Sequence, residues 1–140
     1  MLPKQNTRPG ADQTHLVAVY GTLKSGFHNN LLLDGAEFLG EVKTVDKYPL
    51  VIDGLPYLME RRGEGRLVFC ELYRVSQGQL DRLDRLEGHP HFYRRAQIFV
   101  ANGDGNWLAW VYFLARDEAR LKNRPTHEKY LGAHPAYARR

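Results

Sequence analysis

The sequence contains a single cysteine, Cys70, among 140 residues. One cysteine cannot form an internal disulfide, so we expect a reducing compartment, the cytoplasm by default. No apolar run approaches the ~20 residues that a membrane-spanning helix requires. The N-terminal segment is polar and lacks the apolar stretch of a signal peptide. We therefore expect neither secretion nor a membrane partner.

Concentrated charge of one sign is also missing. The formal net charge is +4, but the positive residues are scattered along the chain. Their densest group, Arg61, Arg62 and Arg66, is interrupted by Glu64. A nucleic-acid module would show a continuous basic face with exposed aromatic residues. We therefore expect no nucleic-acid partner, whereas a mildly basic surface suits small acidic substrates.

The length of 140 residues suits one domain with one hydrophobic core. Residues 1–13 are polar and contain proline and glycine, which predicts a flexible N-terminal arm. Residues 14–115 form the predicted domain, and residues 116–140 form an irregular C-terminal tail that packs on it. The chain has no internal repeats, and a monomer is the default expectation.

Short segments rich in β-branched and aromatic residues alternate with turn-forming residues. Six or seven of them are predicted strands: residues 15–20, 36–46, 48–52, 56–59, 66–75, 92–101 and 106–114. Their connections are of the hairpin type, of which the NGDG segment at residues 102–105 is the strongest signal. The prediction is an α+β fold, a small mixed, mostly antiparallel β-barrel with one main flanking helix. Barrel closure would remove exposed strand edges.

The flanking helix is predicted from Gln77 to Glu87. Ser76 precedes it and Gln79 follows three residues later, which is a capping-box pattern. Gly88 ends the helix, and Pro90 follows shortly after.

Glu87, the last residue of this helix, is a carboxylate on its apolar face. It lies about two turns beyond Leu80 and points nearly the same way. Leucines at helical spacing form that face: Leu80, Leu83 and Leu86. A lone carboxylate turned toward a core is costly unless it is paired or protonated, so Glu87 is a candidate general acid/base. The alternative is that it bends out to water or pairs with Arg94 or Arg95.

A second candidate site follows the first strand, at Tyr20, Gly21, Thr22 and Leu23. A glycine at a strand end allows a sharp turn and a close approach of a ligand to the main chain. Successive backbone N–H groups in such a turn can bind a carboxylate or an oxyanion. The alternative for this segment is an ordinary turn.

Four motifs occur in order between about residues 15 and 114: YGTLKSG, YPLVIDG, GRLVFCELYRV and LDRLDRLEGHPHFYRR. Together they resemble the gamma-glutamylcyclotransferase-like family, and most closely its gamma-glutamylamine cyclotransferase and AIG2-like branch. The resemblance implies a small mixed β-barrel with flanking helices. It implies an enzyme that cleaves a gamma-glutamyl amide: the α-amine of the substrate attacks its own γ-carbonyl, releasing 5-oxoproline and a free amine. No cofactor and no metal are implied.

The resemblance also assigns residues. It places the backbone amides of the YGTL segment, residues 20–23, around the glutamyl head group of the substrate. It makes Glu87 the general acid/base, the residue that helix geometry also singles out. Tyr93 and Arg95 match a Tyr-x-Arg pattern of the family and are predicted to bind substrate, although a structural role fits Arg95 equally well.

Other polar residues carry weaker predictions. Lys24 and Asn29 follow the YGTL segment and reach either substrate or solvent. His89 and His91 flank the end of the helix, but two histidines and one glutamate at irregular spacing do not predict a metal site. Cys70 lies in a strand and is predicted to be a small core residue. Three residues of the tail are candidates to close over the site: His127, Glu128 and Tyr130.

The competing function is a non-catalytic member of the same fold that binds a small acidic ligand or a protein partner. The presence of Glu87 favours the enzyme. The sequence does not rank four candidates for the amine half of the substrate: a lysine side chain, a polyamine, an aminoglycoside-like amine and a peptide amine.

Overall fold

The computed structural model describes residues 13–132 and has an α+β fold. Its strands and helix, in chain order, are β1 (Thr14–Val19), β2 (Glu37–Thr44), β3 (Leu50–Asp53), β4 (Leu55–Leu58), β5 (Phe69–Ser76), α1 (Gln77–Glu87), β6 (Tyr93–Asn102) and β7 (Gly105–Leu114). Of the predicted arm and tail, residues 1–12 and 133–140 lie outside the described residues. Within residues 13–132, no helix combines the length and the apolar character needed to cross a membrane.

Five of the described strands form a closed barrel in the order β1-β5-β2-β6-β7. All neighbouring pairs are antiparallel except β1 and β7, which close the barrel in parallel at Val17 and Trp110. The predicted mixed, mostly antiparallel barrel is therefore confirmed. Strands β3 and β4 do not enter it, because they pair with each other in a separate hairpin. The apolar interior includes Leu72, Val100 and Phe113, all fully buried.

The bounds of α1 match the prediction, and so do its ends. Ser76 Oγ accepts a hydrogen bond from the Gln79 amide at 3.1 Å, and the Gln79 side chain accepts one from the Ser76 amide at 3.0 Å. Gly88 follows the helix in the left-handed conformation, with φ of 67°. Local sequence signals therefore fix both ends of the helix that carries Glu87.

The helix packs on the outside of the barrel through only part of its predicted apolar face. Leu80 and Leu83 are buried against β1 and β5. Leu86 was predicted to continue this face, but it is 42% exposed. The prediction for Leu86 is wrong because the last turn of the helix borders a surface cavity instead of the core.

The described part of the tail, up to residue 132, packs against the barrel and the β3–β4 hairpin. Leu121, in a short 3-10 helix, and Tyr130 are buried. The backbone amide of His127 donates to the Leu50 carbonyl at 2.9 Å, and the Phe69 amide donates to the Glu128 carbonyl at 2.8 Å.

Candidate active site

A cavity of about 250 Å³ opens where the end of β1 meets the end of α1. Six of the seven predicted site residues line it: Tyr20, Gly21, Thr22, Leu23, Glu87 and Tyr93. Asn29 also lines it. The β3–β4 hairpin contributes Leu55 and Pro56, and β7 contributes Tyr112. The structure therefore brings together two segments that are far apart in the sequence, the YGTL segment and the end of the helix.

The carboxyl of Glu87 is half-buried in this cavity, and no cation of the described residues pairs with it. Within residues 13–132 it makes no ion pair or hydrogen bond, since Arg94 pairs with Glu60 and Arg95 pairs with Asp84. The alternative of a pair with either arginine is therefore wrong. Burial raises the pKa of Glu87 from 4.5 to about 7. A carboxyl with such a pKa exchanges protons readily near neutral pH.

Three tyrosines line the cavity close to Glu87: Tyr20, Tyr93 and Tyr112. Each hydroxyl donates its proton to a fixed acceptor: Tyr20 to the Tyr112 carbonyl (2.7 Å), Tyr93 to the Pro56 carbonyl (2.8 Å) and Tyr112 to Asp84 Oδ1 (2.6 Å). Burial raises the pKa of all three hydroxyls, and the nearby charge of Glu87 raises it further. The tyrosines are therefore neutral. The Tyr20 oxygen already accepts a hydrogen bond from the Leu58 amide, whereas the oxygens of Tyr93 and Tyr112 keep lone pairs that can accept from a ligand.

Arg95 lies behind the cavity wall, and is not among the described residues that line it. Its guanidinium binds both carboxylate oxygens of Asp84, at 2.9 and 3.2 Å, and stacks 4.3 Å from the ring of Trp110. Burial opposes ionisation of Asp84, but the hydrogen bonds from Arg95 and Tyr112 outweigh it and lower the pKa of Asp84. Arg95 therefore holds Asp84, and Asp84 in turn orients the Tyr112 hydroxyl. This is the structural role that the sequence allows for Arg95 as the alternative to substrate binding.

The segment from residue 20 to residue 25, called the β1 loop below, has the carbonyl groups of its four central residues occupied. The carbonyl of Gly21 accepts from the Lys24 amide at 3.0 Å, and that of Thr22 accepts from the Asn29 amide at 3.1 Å. Asn30 Nδ2 donates to the Leu23 carbonyl at 2.8 Å. The amides of residues 21, 22 and 23, by contrast, have no acceptor among the described residues. All three residues line the cavity, so these amides are candidate donors to a carboxylate or an oxyanion.

Comparison with known proteins identifies the family. Residues 17–132 match the family model described as gamma-glutamyl cyclotransferase, AIG2-like. The chain belongs to this family. The resemblance seen in the sequence motifs is thereby confirmed, and so is the prediction of an enzyme.

Individual AIG2-like proteins resemble the chain over most of its length. Gamma-glutamylaminecyclotransferase B of Danio rerio is 39% identical over 128 residues, which cover 82% of this chain and 67% of the relative. Gamma-glutamylaminecyclotransferase C of the same fish is 38% identical over 131 residues, covering 84% and 86%. The crystal structure of an AIG2-like protein from Mus musculus has a TM-score of 0.82 and 31% identity, covering 89% of this chain and 92% of that one. The barrel described above is thus the barrel of the AIG2-like family.

Sequence reasoning missed the cavity residues Tyr112 and Pro56 and the supporting residue Asp84. One signal was available for Tyr112, because the NGDG turn sets the register of β6 and β7 and places Tyr112 opposite Arg95. His127, Glu128 and Tyr130 are not among the described residues that line this cavity. Within residues 13–132, no group of three His, Cys, Asp or Glu side chains is arranged to hold a metal ion. Cys70 is buried, and burial raises the pKa of its thiol to about 12.

The raised pKa of Glu87 makes a prediction about stability. Since the folded chain holds this proton up to about pH 7 and the unfolded chain releases it near 4.5, stability falls as pH rises through that interval. The full penalty is about 3 kcal/mol at most, and water contact of the carboxyl reduces it. We expect Glu87→Gln to be more stable than wild type at about pH 8 and equal to it at about pH 4 in urea unfolding. A gain that is independent of pH would contradict this account.

Proposed function

We propose that this protein cleaves gamma-glutamyl amides by cyclisation, with Glu87 as the general acid/base. The observation that carries the proposal is the half-buried Glu87 carboxyl, which lines a cavity together with the β1 loop. Within residues 13–132 this carboxyl has no counter-ion, and the amides of residues 21, 22 and 23 have no hydrogen-bond acceptor. Family membership supports the reaction class, and two relatives are named as gamma-glutamylamine cyclotransferases.

The β1 loop supplies the binding site for the acidic head of the substrate. A glutamyl group attached through its γ-carbonyl carries a free α-carboxylate and an α-ammonium. The amides of residues 21–23 bind the α-carboxylate or the oxyanion that develops on the γ-carbonyl. The hydroxyl oxygens of Tyr93 and Tyr112 accept hydrogen bonds from the α-ammonium. These two kinds of contact orient the substrate with its α-nitrogen toward Glu87.

Proton transfer is the part of the reaction assigned to Glu87. The α-nitrogen is an ammonium at neutral pH and cannot attack until it loses a proton, which the Glu87 carboxylate accepts. A bond then forms between the α-nitrogen and the γ-carbon, and the bond from the γ-carbon to the leaving nitrogen breaks. Two protons leave the α-nitrogen and two reach the leaving amine, so that Glu87 returns to its starting state.

Ring closure needs no second reactant and no covalent intermediate with the enzyme. The nucleophile is already tethered to the carbonyl that it attacks, and the cavity has only to hold the folded substrate. Correct orientation in such reactions contributes up to ~7–11 kcal/mol in ideal cases. The small volume of the cavity, about 250 Å³, suits a head group held in one folded shape.

The leaving amine faces an apolar rim. Three cavity residues are apolar and partly exposed: Leu55 at 46%, Leu86 at 42% and Phe92 at 37%. Burying apolar surface against alkyl groups is favourable by roughly 25 cal/mol per Å² of surface that is removed from water. The rim therefore favours an amine whose first atoms form an alkyl chain over one that places a charge next to the scissile bond.

The test is to incubate the purified protein with a panel of gamma-glutamyl amides and to measure 5-oxoproline. We expect product from gamma-glutamyl-ε-lysine and other alkyl amides, and slower turnover of a gamma-glutamyl dipeptide, whose carboxylate lies close to the scissile bond. No product across a panel that also includes polyamine and aminoglycoside amides would reject the proposed reaction and favour a binding role for this chain. Faster turnover of the dipeptide would reject the role assigned to the rim.

A further inference from the structure

A buried carboxylate lies beneath the β1 loop and outside the cavity that contains Glu87. Glu71 of β5 is only 9% exposed. Its Oε1 accepts a hydrogen bond from the Ser25 amide at 2.7 Å, and its Oε2 accepts one from Ser25 Oγ at 2.8 Å. The Tyr73 hydroxyl donates to Oε1 at 3.0 Å. Both oxygens are thus occupied, and two of the three bonds hold the loop.

A second chain of hydrogen bonds runs parallel to the first. The side-chain amide of Asn30 donates to the Leu23 carbonyl at 2.8 Å and to the Tyr73 hydroxyl at 3.4 Å. Tyr73 in turn binds Glu71, so that the loop is connected to β5 on both sides of Lys24. Hydrogen bonds to a charged acceptor are stronger than those between neutral groups, which makes Glu71 the strongest of these anchors.

Lys24 adds an electrostatic reason for a carboxylate at this position. Its side chain is 5% exposed, and its ammonium donates to the Tyr130 carbonyl at 2.8 Å. Burial lowers the pKa of Lys24, whereas the charge of Glu71 acts in the opposite direction and favours the ammonium. Glu71 therefore stabilises the loop through Ser25 and also supports its buried cation.

We propose that Glu71 is a positioning residue for substrate binding: by fixing Ser25 it holds the amides of residues 21–23 in the arrangement that receives the glutamyl head group. The inference rests on the proposed function, because it concerns the loop to which substrate binding is assigned. Glu71 does not touch the cavity and takes no part in proton transfer. Its loss therefore acts on binding more than on chemistry.

Kinetics of Glu71→Ala and Glu71→Gln test the proposal, with Glu41→Ala as the matched control. Glu41 lines a second cavity together with Glu71 and Lys24, separate from the one that contains Glu87. It is exposed, however, and makes no side-chain hydrogen bond within residues 13–132. We expect Glu71→Ala to raise KM at least about tenfold while kcat changes less than about threefold. Glu71→Gln keeps an oxygen acceptor for Ser25 and is expected to restore most of the binding. Glu41→Ala is expected to match wild type.

Hydrogen exchange supplies a readout that does not need turnover. We expect the Ser25 amide and its neighbours in the β1 loop to exchange faster in Glu71→Ala, with barrel strands protected as in wild type. This result would stand even if the wild type made no 5-oxoproline, so failure of the proposed function and failure of this inference are distinguishable. Unchanged exchange and unchanged KM in Glu71→Ala would overturn the role of Glu71, and so would a loss confined to kcat.

The double variant Ser25→Ala with Tyr73→Phe covers the case in which Glu71→Ala does not fold. It removes two donors to Glu71 without removing the carboxylate. We expect KM to rise about threefold or more. The rise is smaller than in Glu71→Ala because the hydrogen bond from the Ser25 amide to Glu71 remains. A KM equal to that of wild type in this folded variant would overturn the proposal.

Discussion

Replacing Glu87 with glutamine is expected to lower kcat by about 10²–10⁴-fold, the usual contribution of a positioned general acid/base. Glutamine keeps the shape of the side chain but cannot take a proton from the α-ammonium or return one to the leaving amine. KM is expected to change little, because we assign binding of the head group to the β1 loop and not to Glu87. The measurement is 5-oxoproline release under saturating substrate, over a range of pH.

The pH profile separates loss of the acid/base from general damage. Wild-type kcat/KM is expected to rise with pH through about 7, where the Glu87 carboxyl becomes ionised. The residual activity of Glu87→Gln is expected to lack this rise. Asp81→Asn is the matched control, since Asp81 is an exposed carboxylate on the same helix that bonds only with Gln77 in the described part of the chain. Equal product formation by Glu87→Gln and wild type would show that Glu87 is not the acid/base.

Gly21→Ala is expected to produce the second large loss of activity, although Gly21 has no reactive group. A Cβ atom at position 21 would lie 2.7 Å from Cγ of Pro56, in a rigid ring on the β3–β4 hairpin. Tyr93 holds that hairpin through the Pro56 carbonyl, so the β1 loop has to move instead. A displacement of about 1 Å at a binding group can cost about 10²-fold in rate, and we expect a loss of that size in kcat/KM.

A double variant identifies the cause of this loss. Pro56→Ala removes the ring atom that the new Cβ would meet and keeps the carbonyl that Tyr93 binds. We expect Gly21→Ala with Pro56→Ala to recover much of the activity that Gly21→Ala loses, which is a non-additive result of the kind that neighbouring sites give. Gly103→Ala is the control, because a Cβ there meets no atom within 4 Å. Full activity of Gly21→Ala would show that the close approach of loop and hairpin is unimportant.

Local signals explain why much of the fold was predictable. The helix carrying Glu87 has a capping box at one end and a left-handed glycine at the other, and both depend on residues within a few positions of each other. The hairpin of β6 and β7 follows in the same way from the NGDG turn. The strand predicted over residues 66–75 begins later, at Phe69, and Arg66 makes only an isolated bridge with Tyr48. Such a bridge depends on tertiary contacts that a local pattern does not contain.

The candidate site was predictable only in part, for the same reason. Six site residues came from two motifs, and their meeting in one cavity followed from the family resemblance. Helical spacing alone placed Leu86 in the core, because periodicity gives the direction of a side chain but not where the neighbouring sheet ends. The contact of Asp84 with both Arg95 and Tyr112 joins the helix to the barrel, and no spacing along the chain encodes it.

The parallel contact of β1 with β7 has a consequence for the time at which this protein becomes active in a cell. The hydroxyl of Tyr20 and the carbonyl of Tyr112, which meet beside the cavity, are separated by 92 positions in the sequence. Contacts of such long range form late, because the entropy of closing the intervening chain has to be paid first. During synthesis β7 is the last barrel strand to leave the ribosome. A nascent chain therefore carries Glu87 and the whole β1 loop before it has a cavity, and its first turnover has to wait for the barrel to close.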